Sequence, residues 1–219
     1  MSYPKFNNLI LEWKEELMAV LAILVCLFLL NIFPVNGILQ EITAGLVFLL
    51  ILPVLFIKLI LKKPLGEFGL SLRDKNTGFF WGGVMLLASL IIAFLLITFT
   101  KLKTVYVLPD YIIHNFWIFL VYELIFANFF LFLNEVFFKG FVLFSFSKKF
   151  NYWSIGFSFL VYSIIIILAG TLSWQIAPML ILAITGSIVS YKSHSFIYSY
   201  LMGLIFLIFF DAYLIYILK

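Results

Sequence analysis

Residues 115–146 read NFWIFLVYELIFANFFLFLNEVFFKGFVLFSF, an apolar run that holds a few widely spaced polar residues. About 20 residues are enough for a helix to cross the hydrocarbon core of a membrane. The run is therefore too long for one straight span, and we predict a membrane helix that tilts, breaks or begins in the interface.

The rest of the chain has the same character. Hydrophobic residues make up 65% of the 219 residues and charged residues only 11%, with a mean hydropathy of +1.21. A chain of this composition cannot cover a water-facing surface and must use lipid as its solvent. We predict an all-α protein, a polytopic transmembrane helical bundle of about seven spans in the lipid bilayer.

Polar connections divide the chain into spans and leave no room for a second folded unit. Residues 1–16 mix lysine and glutamate and predict an amphipathic segment at the membrane surface, followed by one transmembrane domain over 17–219. The predicted spans are 18–33, 38–61, 77–99, a fourth within 115–146, 152–169, 173–190 and 196–218.

The basic residues lie mostly on one side of this topology. An N-terminus in the cytoplasm places ten of them inside and three outside, with Lys139 left in the membrane, which satisfies the positive-inside rule. Lysines that face anionic lipid account for the net charge of +4, so no nucleic-acid partner is implied. Abundant Phe and Lys suggest an AT-rich coding sequence, and we expect a bacterial cell membrane.

Polar residues inside the bilayer are the candidates for function, because each is costly to insert. The fourth run concentrates them. It contains Glu123, Asn128, Asn134, Glu135 and Lys139, whereas other spans contribute only Glu41, Gln175 and Asp211.

Helical geometry groups three of these residues. Asn128, Glu135 and Lys139 are seven and then four positions apart, so they share one helix face, and Asn134 points away from it. Glu135 and Lys139 can form an i,i+4 ion pair. The pair either carries function or only allows two charges to exist in the membrane and fixes the rotation of the helix.

The segment Asn134-Glu135-Val136-Phe137-Phe138-Lys139-Gly140-Phe141 resembles the Glu-Glu-x-x-x-Arg signature of the CAAX protease and bacteriocin-processing family, also called Abi. Upstream, the sequence PLGEFGL at 64–70 is similar to a segment that precedes a span in many members, so the resemblance covers about 61–219. It implies an intramembrane endopeptidase fold in which the first glutamate activates water and histidines on two later helices assist.

The chain departs from this pattern at each catalytic position. Asn134 replaces the first glutamate, and an amide cannot act as a general base. The general-base role is therefore lost unless Glu135 takes it over. Lys139 replaces the arginine and keeps its charge without the planar fork. The expected histidine positions fall on Ile166 or a neighbour and on Gly203, and an asparagine position falls on Leu207.

Other chemistries find no support in the sequence. The two histidines, His114 and His194, lie in polar connections, so we predict no metal site and no cofactor. The intramembrane hydroxyls of Ser158, Ser163 and Ser187 lack a histidine base, and we expect them to form helix-to-helix hydrogen bonds.

Three functions follow from these observations. The first is a divergent family member that lacks the peptidase site and acts in binding or bacteriocin-immunity-like protection. It would recognise a hydrophobic or prenylated peptide or another membrane protein in the cavity that once held substrate, with Asn128 and Glu123 as binding residues. The second is an active endopeptidase with Glu135 as base, Asn134 as oxyanion donor and Lys139 beside them. The third is a small transporter component in which Glu123 and Glu135 line a proton or cation path.

Overall fold

The backbone forms helices because lipid offers no partner for an unpaired amide or carbonyl group. The computed structural model describes residues 12–106, 108–170 and 173–218, and all regular structure in these ranges is helical. Six helices are long and apolar enough to cross a membrane, and a seventh apolar helix is shorter. They are α1 Lys14–Ile32, α2 Ile38–Ile60, α3 Lys75–Phe99, α4 Phe116–Phe150, α5 Trp153–Leu168, α6 Trp174–Ser193 and α7 Phe196–Leu218.

The predicted all-α bundle of about seven spans is confirmed, and the helix ends lie within a few residues of the predicted ones. The predicted surface segment over 1–16 falls largely outside the described residues. Where it is described, Glu15 and Glu16 belong to the first turn of α1 and continue directly into the apolar helix.

Helix α4 resolves the question that its length raised. It is one unbroken helix of 35 residues, which at about 1.5 Å per residue is longer than a hydrocarbon core of about 30 Å. The side chain of Asn115 caps its start by accepting from the backbone N–H groups of Trp117 and Ile118 at 3.0 and 3.3 Å. Within this continuous helix, two stretches have wider π-helical turns, Tyr122–Ala127 and Glu135–Leu143.

Two apolar clusters hold the bundle together on either side of α4. One joins α3, α6 and α7 around Leu182, Phe206 and Phe210. The other joins α1, α2, α4 and α5 around Phe137 and Phe141. The second half of helix α4, residues 131–146, is therefore mostly buried among the other helices.

Ion pairs mark one end of the bundle. Lys148 lies 2.8 Å from Glu67, Lys149 lies 3.3 Å from Glu16, and Lys63 pairs with Glu15. These residues come from the start of α1, the 61–74 connection and the end of α4. The opposite end carries the 33–37 turn and the 100–115 connection, where no ion pair is found among the described residues.

The 61–74 connection reaches this end through a short 3₁₀ turn, Leu65–Phe68, that stops at Gly69. Gly69 has φ = 82°, a left-handed conformation that glycine adopts without strain, and the ring of Phe144 packs where a side chain would lie. The carbonyl of Gly69 accepts from the N–H of Phe196 at 3.1 Å. The turn thus ties the start of α7 to the end of α4.

Candidate functional site

Glu135 and Lys139 form a buried ion pair at the middle of α4. Their side chains are 1% and 4% exposed, and the Lys139 Nζ bonds to Glu135 Oε1. The two residues lie in the π-helical stretch Glu135–Leu143, every residue of which is buried. The i,i+4 pair that the sequence predicts is therefore present, and it is enclosed on all sides by protein.

The second carboxylate oxygen of Glu135 is also engaged. Ser199 on α7 donates its hydroxyl to Oε2 at 2.5 Å, and Ser190 on α6 donates to Ser199 at 2.7 Å. Both serines are fully buried. The ion-pair cluster, which we define as Glu135, Lys139, Ser190 and Ser199, therefore links three helices through a continuous chain of hydrogen bonds.

Gly186 on α6 leaves the space in which the Lys139 ammonium lies. A Cβ atom at position 186 would overlap Nζ and would lie 2.8 Å from Cε, so the ammonium fills the space that a side chain would otherwise occupy. Ser199, Ser190 and Gly186 were all missed at the level of sequence. A glycine or serine in an apolar span does not show from sequence alone which helix it faces, so its role could not be predicted.

Asn134 lies next to this cluster and lines the same small cavity as Glu135. The cavity has a volume of about 20 Å³ and lies among α4, α5 and α6. Asn134 and Glu135 are adjacent on the helix, so their side chains diverge by about 100°. Both still border this cavity, because it lies between α4 and its two neighbours. The Asn134 amide donates to the carbonyl of Phe130 at 2.8 Å. A space of this size accommodates about one water molecule.

The positions that the resemblance assigns to catalytic histidines are apolar and packed. Ile166 is buried in α5, and a Cβ atom on Gly203 would lie 3.3 Å from a methyl group of Leu131. His194 ends α6 with φ = 51°, and His114 ends the short helix Asp110–His114. Neither histidine joins the ion-pair cluster.

Asn128 faces α7, as Glu135 does, but belongs to a separate contact. Its Oδ1 accepts from the Tyr200 hydroxyl at 2.5 Å, and its Nδ2 donates to the carbonyl of Leu124 at 3.1 Å. Asn128, the predicted binding residue, therefore connects α4 to α7 through Tyr200, the residue that follows Ser199. These bonds use one lone pair of the Asn128 amide oxygen and one of the two N–H donors.

The intramembrane serines differ in the bonds they form. Ser158 on α5 donates to the carbonyl of Phe138 on α4 at 2.9 Å and so joins two helices. Ser163 and Ser187 donate to carbonyls of their own helices at 2.8 and 2.6 Å. Only Ser158, of the three, forms the helix-to-helix bond that the sequence analysis expected.

Glu123 belongs to a second polar cluster, about 18 Å along α4 from Glu135 at 1.5 Å per residue. Its carboxyl group lies within hydrogen-bonding reach of the Asp211 carboxyl group on α7. Both residues are buried, and Oε1 and Oε2 of Glu123 and Oδ1 of Asp211 lack any hydrogen-bond donor among the described residues. We call these two residues the carboxyl pair.

Tyr106, in the connection before α4, lies beside this pair. Its hydroxyl is within hydrogen-bonding reach of Asp211. Burial, and after it the Asp211 carboxylate, raises the pKa of Tyr106. The hydroxyl therefore stays protonated and can act as a donor to Asp211.

The remaining polar candidates lie at the helix ends. Glu41 is exposed in the first turn of α2, and Gln175 is exposed in the first turn of α6. Within residues 12–106, 108–170 and 173–218, no three His, Cys, Asp or Glu side chains come together as a metal site.

The two clusters are thus a closed ion pair at the centre of the bundle and an uncompensated carboxyl pair nearer one end. No protein-family model matches this chain, and neither a curated protein nor a solved structure matches it.

Proposed function

We propose that this chain is a noncatalytic membrane protein, a divergent relative of the CAAX protease and bacteriocin-processing family that acts by binding in the membrane. The observation that carries the proposal is the state of Glu135. Both of its carboxylate oxygens are engaged, one by Lys139 and the other by Ser199, in the buried interior.

A peptidase of this kind needs a carboxylate that can take a proton from a water molecule placed against the substrate carbonyl. Each oxygen of Glu135 keeps a lone pair, but taking up a proton would neutralise the carboxylate. The buried Lys139 ammonium would then be left without its counterion in the bundle. Histidines that could assist are replaced by Ile166 and Gly203. The arrangement suits a structural ion pair better than a general base.

The space beside Glu135 argues in the same direction. A cavity of about 20 Å³ admits about one water molecule and no peptide. The binding function therefore does not use the position of a peptidase substrate. We assign it to the lipid-facing surface, where exposed apolar side chains of the outer helices can contact a hydrophobic or prenylated peptide or another membrane protein.

The endopeptidase reading is the alternative. It would use Glu135 as base and Asn134 as an oxyanion donor, and both residues do border one cavity. Against it, the Asn134 amide is already bonded to the Phe130 carbonyl. Catalysis would need a rearrangement of two residues and a widening of the cavity.

The proposed setting is a bacterial cell membrane with the N-terminus in the cytoplasm. Its support is the charged end of the bundle, where Lys63, Lys148 and Lys149 lie together. Positively charged connections are retained on the cytoplasmic side during insertion. A protective role against a bacteriocin would act in the membrane of the cell that carries this protein.

A cleavage assay tests the noncatalytic proposal. Purified protein in detergent would be incubated with prenylated and hydrophobic peptides beside an active peptidase of the family. We expect no cleavage by the native chain, by Glu135→Gln, or by Asn134→Glu, which restores one carboxylate but none of the histidines. Cleavage by the native chain that is lost in Glu135→Gln would establish the endopeptidase instead.

A further inference from the structure

A cavity of about 370 Å³ opens beside the carboxyl pair, at the end of the bundle that carries the 100–115 connection. Helices α2, α4, α6 and α7 and this connection contribute to its wall. Its aromatic and acidic lining consists of Tyr106, Tyr111, Tyr122, Phe126, Phe130 and Asp211.

Asp211 is the charged group of this cavity. The residue is only 3% exposed, it lines the cavity, and its Oδ1 has no hydrogen-bond donor among the described residues. The Tyr106 hydroxyl lies beside the carboxyl group and interacts with it. A buried carboxyl group that borders a cavity and has an oxygen without a donor indicates a missing positively charged or donating partner.

Glu123 adds a second carboxyl group behind Asp211. Glu123 is completely buried, both of its oxygens lack a donor, and no lysine or arginine forms an ion pair with either acid in the described part of the chain. Two carboxylates cannot bond to each other unless a proton lies between them. The pair therefore needs either a proton or an external cation to exist in the membrane.

The size and lining of the cavity decide which cation fits. Cavities of about 300–1,000 Å³ with apolar and aromatic walls and a few polar groups are typical of small-molecule sites. Aromatic rings attract organic cations through their faces. A bare inorganic cation would want about six oxygen ligands at close range, whereas this wall offers one carboxyl group and the hydroxyls of three tyrosines.

We propose that this cavity is a binding site for a hydrophobic monovalent organic cation, held by the Asp211 carboxylate within the aromatic wall. In its absence, Glu123 and Asp211 share one proton. When the cation binds, that proton is released to water through the cavity mouth, so that the charge of the site is unchanged. The titratable groups that face the pair are Tyr106, Tyr111 and Tyr122.

The test measures binding of benzyltrimethylammonium to the full chain in detergent by titration calorimetry. Titrations in two buffers of different ionisation enthalpy report the proton that is released. We expect saturable binding at one site, and a loss of affinity of about tenfold or more in Asp211→Asn, since each tenfold corresponds to about 1.4 kcal/mol. Glu67→Gln removes a carboxylate at the opposite end of the bundle and should bind as the native chain does.

A second ligand keeps the test decisive if Asp211→Asn fails to fold. In 2,2-dimethylpropylbenzene a carbon atom replaces the charged nitrogen, so its shape matches and its charge does not. We expect it to bind the native chain at least about tenfold more weakly. Equal binding of the two ligands, or unchanged binding of the cation by a folded Asp211→Asn, overturns the proposal. Neither result depends on the cleavage assay.

Discussion

The ammonium group of Lys139 on α4 occupies the space that a side chain on Gly186 of α6 would need. A Cβ atom at 186 would overlap Nζ and approach Cε to 2.8 Å. A side chain at position 186 would therefore force the end of the Lys139 side chain to move. The absence of a side chain leaves room for the ammonium beside Glu135.

Gly186→Ala should destabilise the protein by about 1–3 kcal/mol, the usual cost of forcing an extra group into a packed core. Thermal unfolding in detergent can be followed by the reaction of Cys26 with a thiol-reactive fluorophore, because this lone cysteine is buried. Gly83→Ala is the matched control, since nothing lies within 4 Å of a Cβ atom there. Equal unfolding temperatures for the two variants would contradict the contact.

Glu135 and Lys139 should show strong energetic coupling in a double-mutant cycle. Glu135→Gln alone leaves the buried ammonium without its counterion and should cost about 3–5 kcal/mol, and Lys139→Met alone leaves the carboxylate unpaired. The double variant buries neither charge. We therefore expect it to cost less than the sum by about 1–3 kcal/mol in denaturant unfolding, whereas additive losses would mean that the pair is not formed.

Ser199→Ala should be more harmful than Ser187→Ala, although both serines are fully buried. Ser199 donates to Glu135 and accepts from Ser190, so its removal leaves a buried carboxylate oxygen without a donor, at about 1–3 kcal/mol. Ser187 bonds only to a carbonyl of its own helix. Comparing the unfolding temperatures of the two variants measures this difference. A lower unfolding temperature for Ser187→Ala than for Ser199→Ala would exclude the proposed chain of hydrogen bonds.

Glu67 should give the charged end of the bundle a small dependence on pH. Its hydrogen bond to Lys148 lowers the pKa of Glu67 below the ordinary value of 4.5. The carboxylate therefore contributes stability above pH 4.5, and the contribution is lost as the pH falls through the lowered pKa.

The pair is largely exposed, so its contribution is about 0.2–1 kcal/mol and should shrink in high salt. The measurement compares unfolding of the native chain and Glu67→Gln at pH 7 and near pH 3. We expect an advantage of the native chain at pH 7 that disappears at low pH. An equal difference at both pH values would show that the pair does not form.

Much of the fold could be predicted because it follows from local composition. Apolar runs of about 20 residues must be helical in lipid, and polar connections such as 61–74 must lie outside it. The pairing of Glu135 with Lys139 was also predictable, since helical geometry alone brings positions four apart together.

The partners from other helices could not be predicted. Ser199 is 64 positions from Glu135, and Asp211 lies even farther along the chain from Glu123, so no local pattern relates them. Glu123 and Asp211 were each visible as intramembrane acids, but nothing in the sequence indicated that they face each other. The proposed cation site depends on that meeting.

The sequence by itself therefore determined the lipid environment, the number of helices and one ion pair within a single helix, because hydropathy and helical periodicity act over short distances. Only the tertiary structure decided that this ion pair is sealed by Ser199 and Gly186, and that two acids meet beside an aromatic cavity. The physical reason is that packing against lipid needs only apolar surface, whereas the pairing of buried polar groups depends on which helices become neighbours and on how each is rotated.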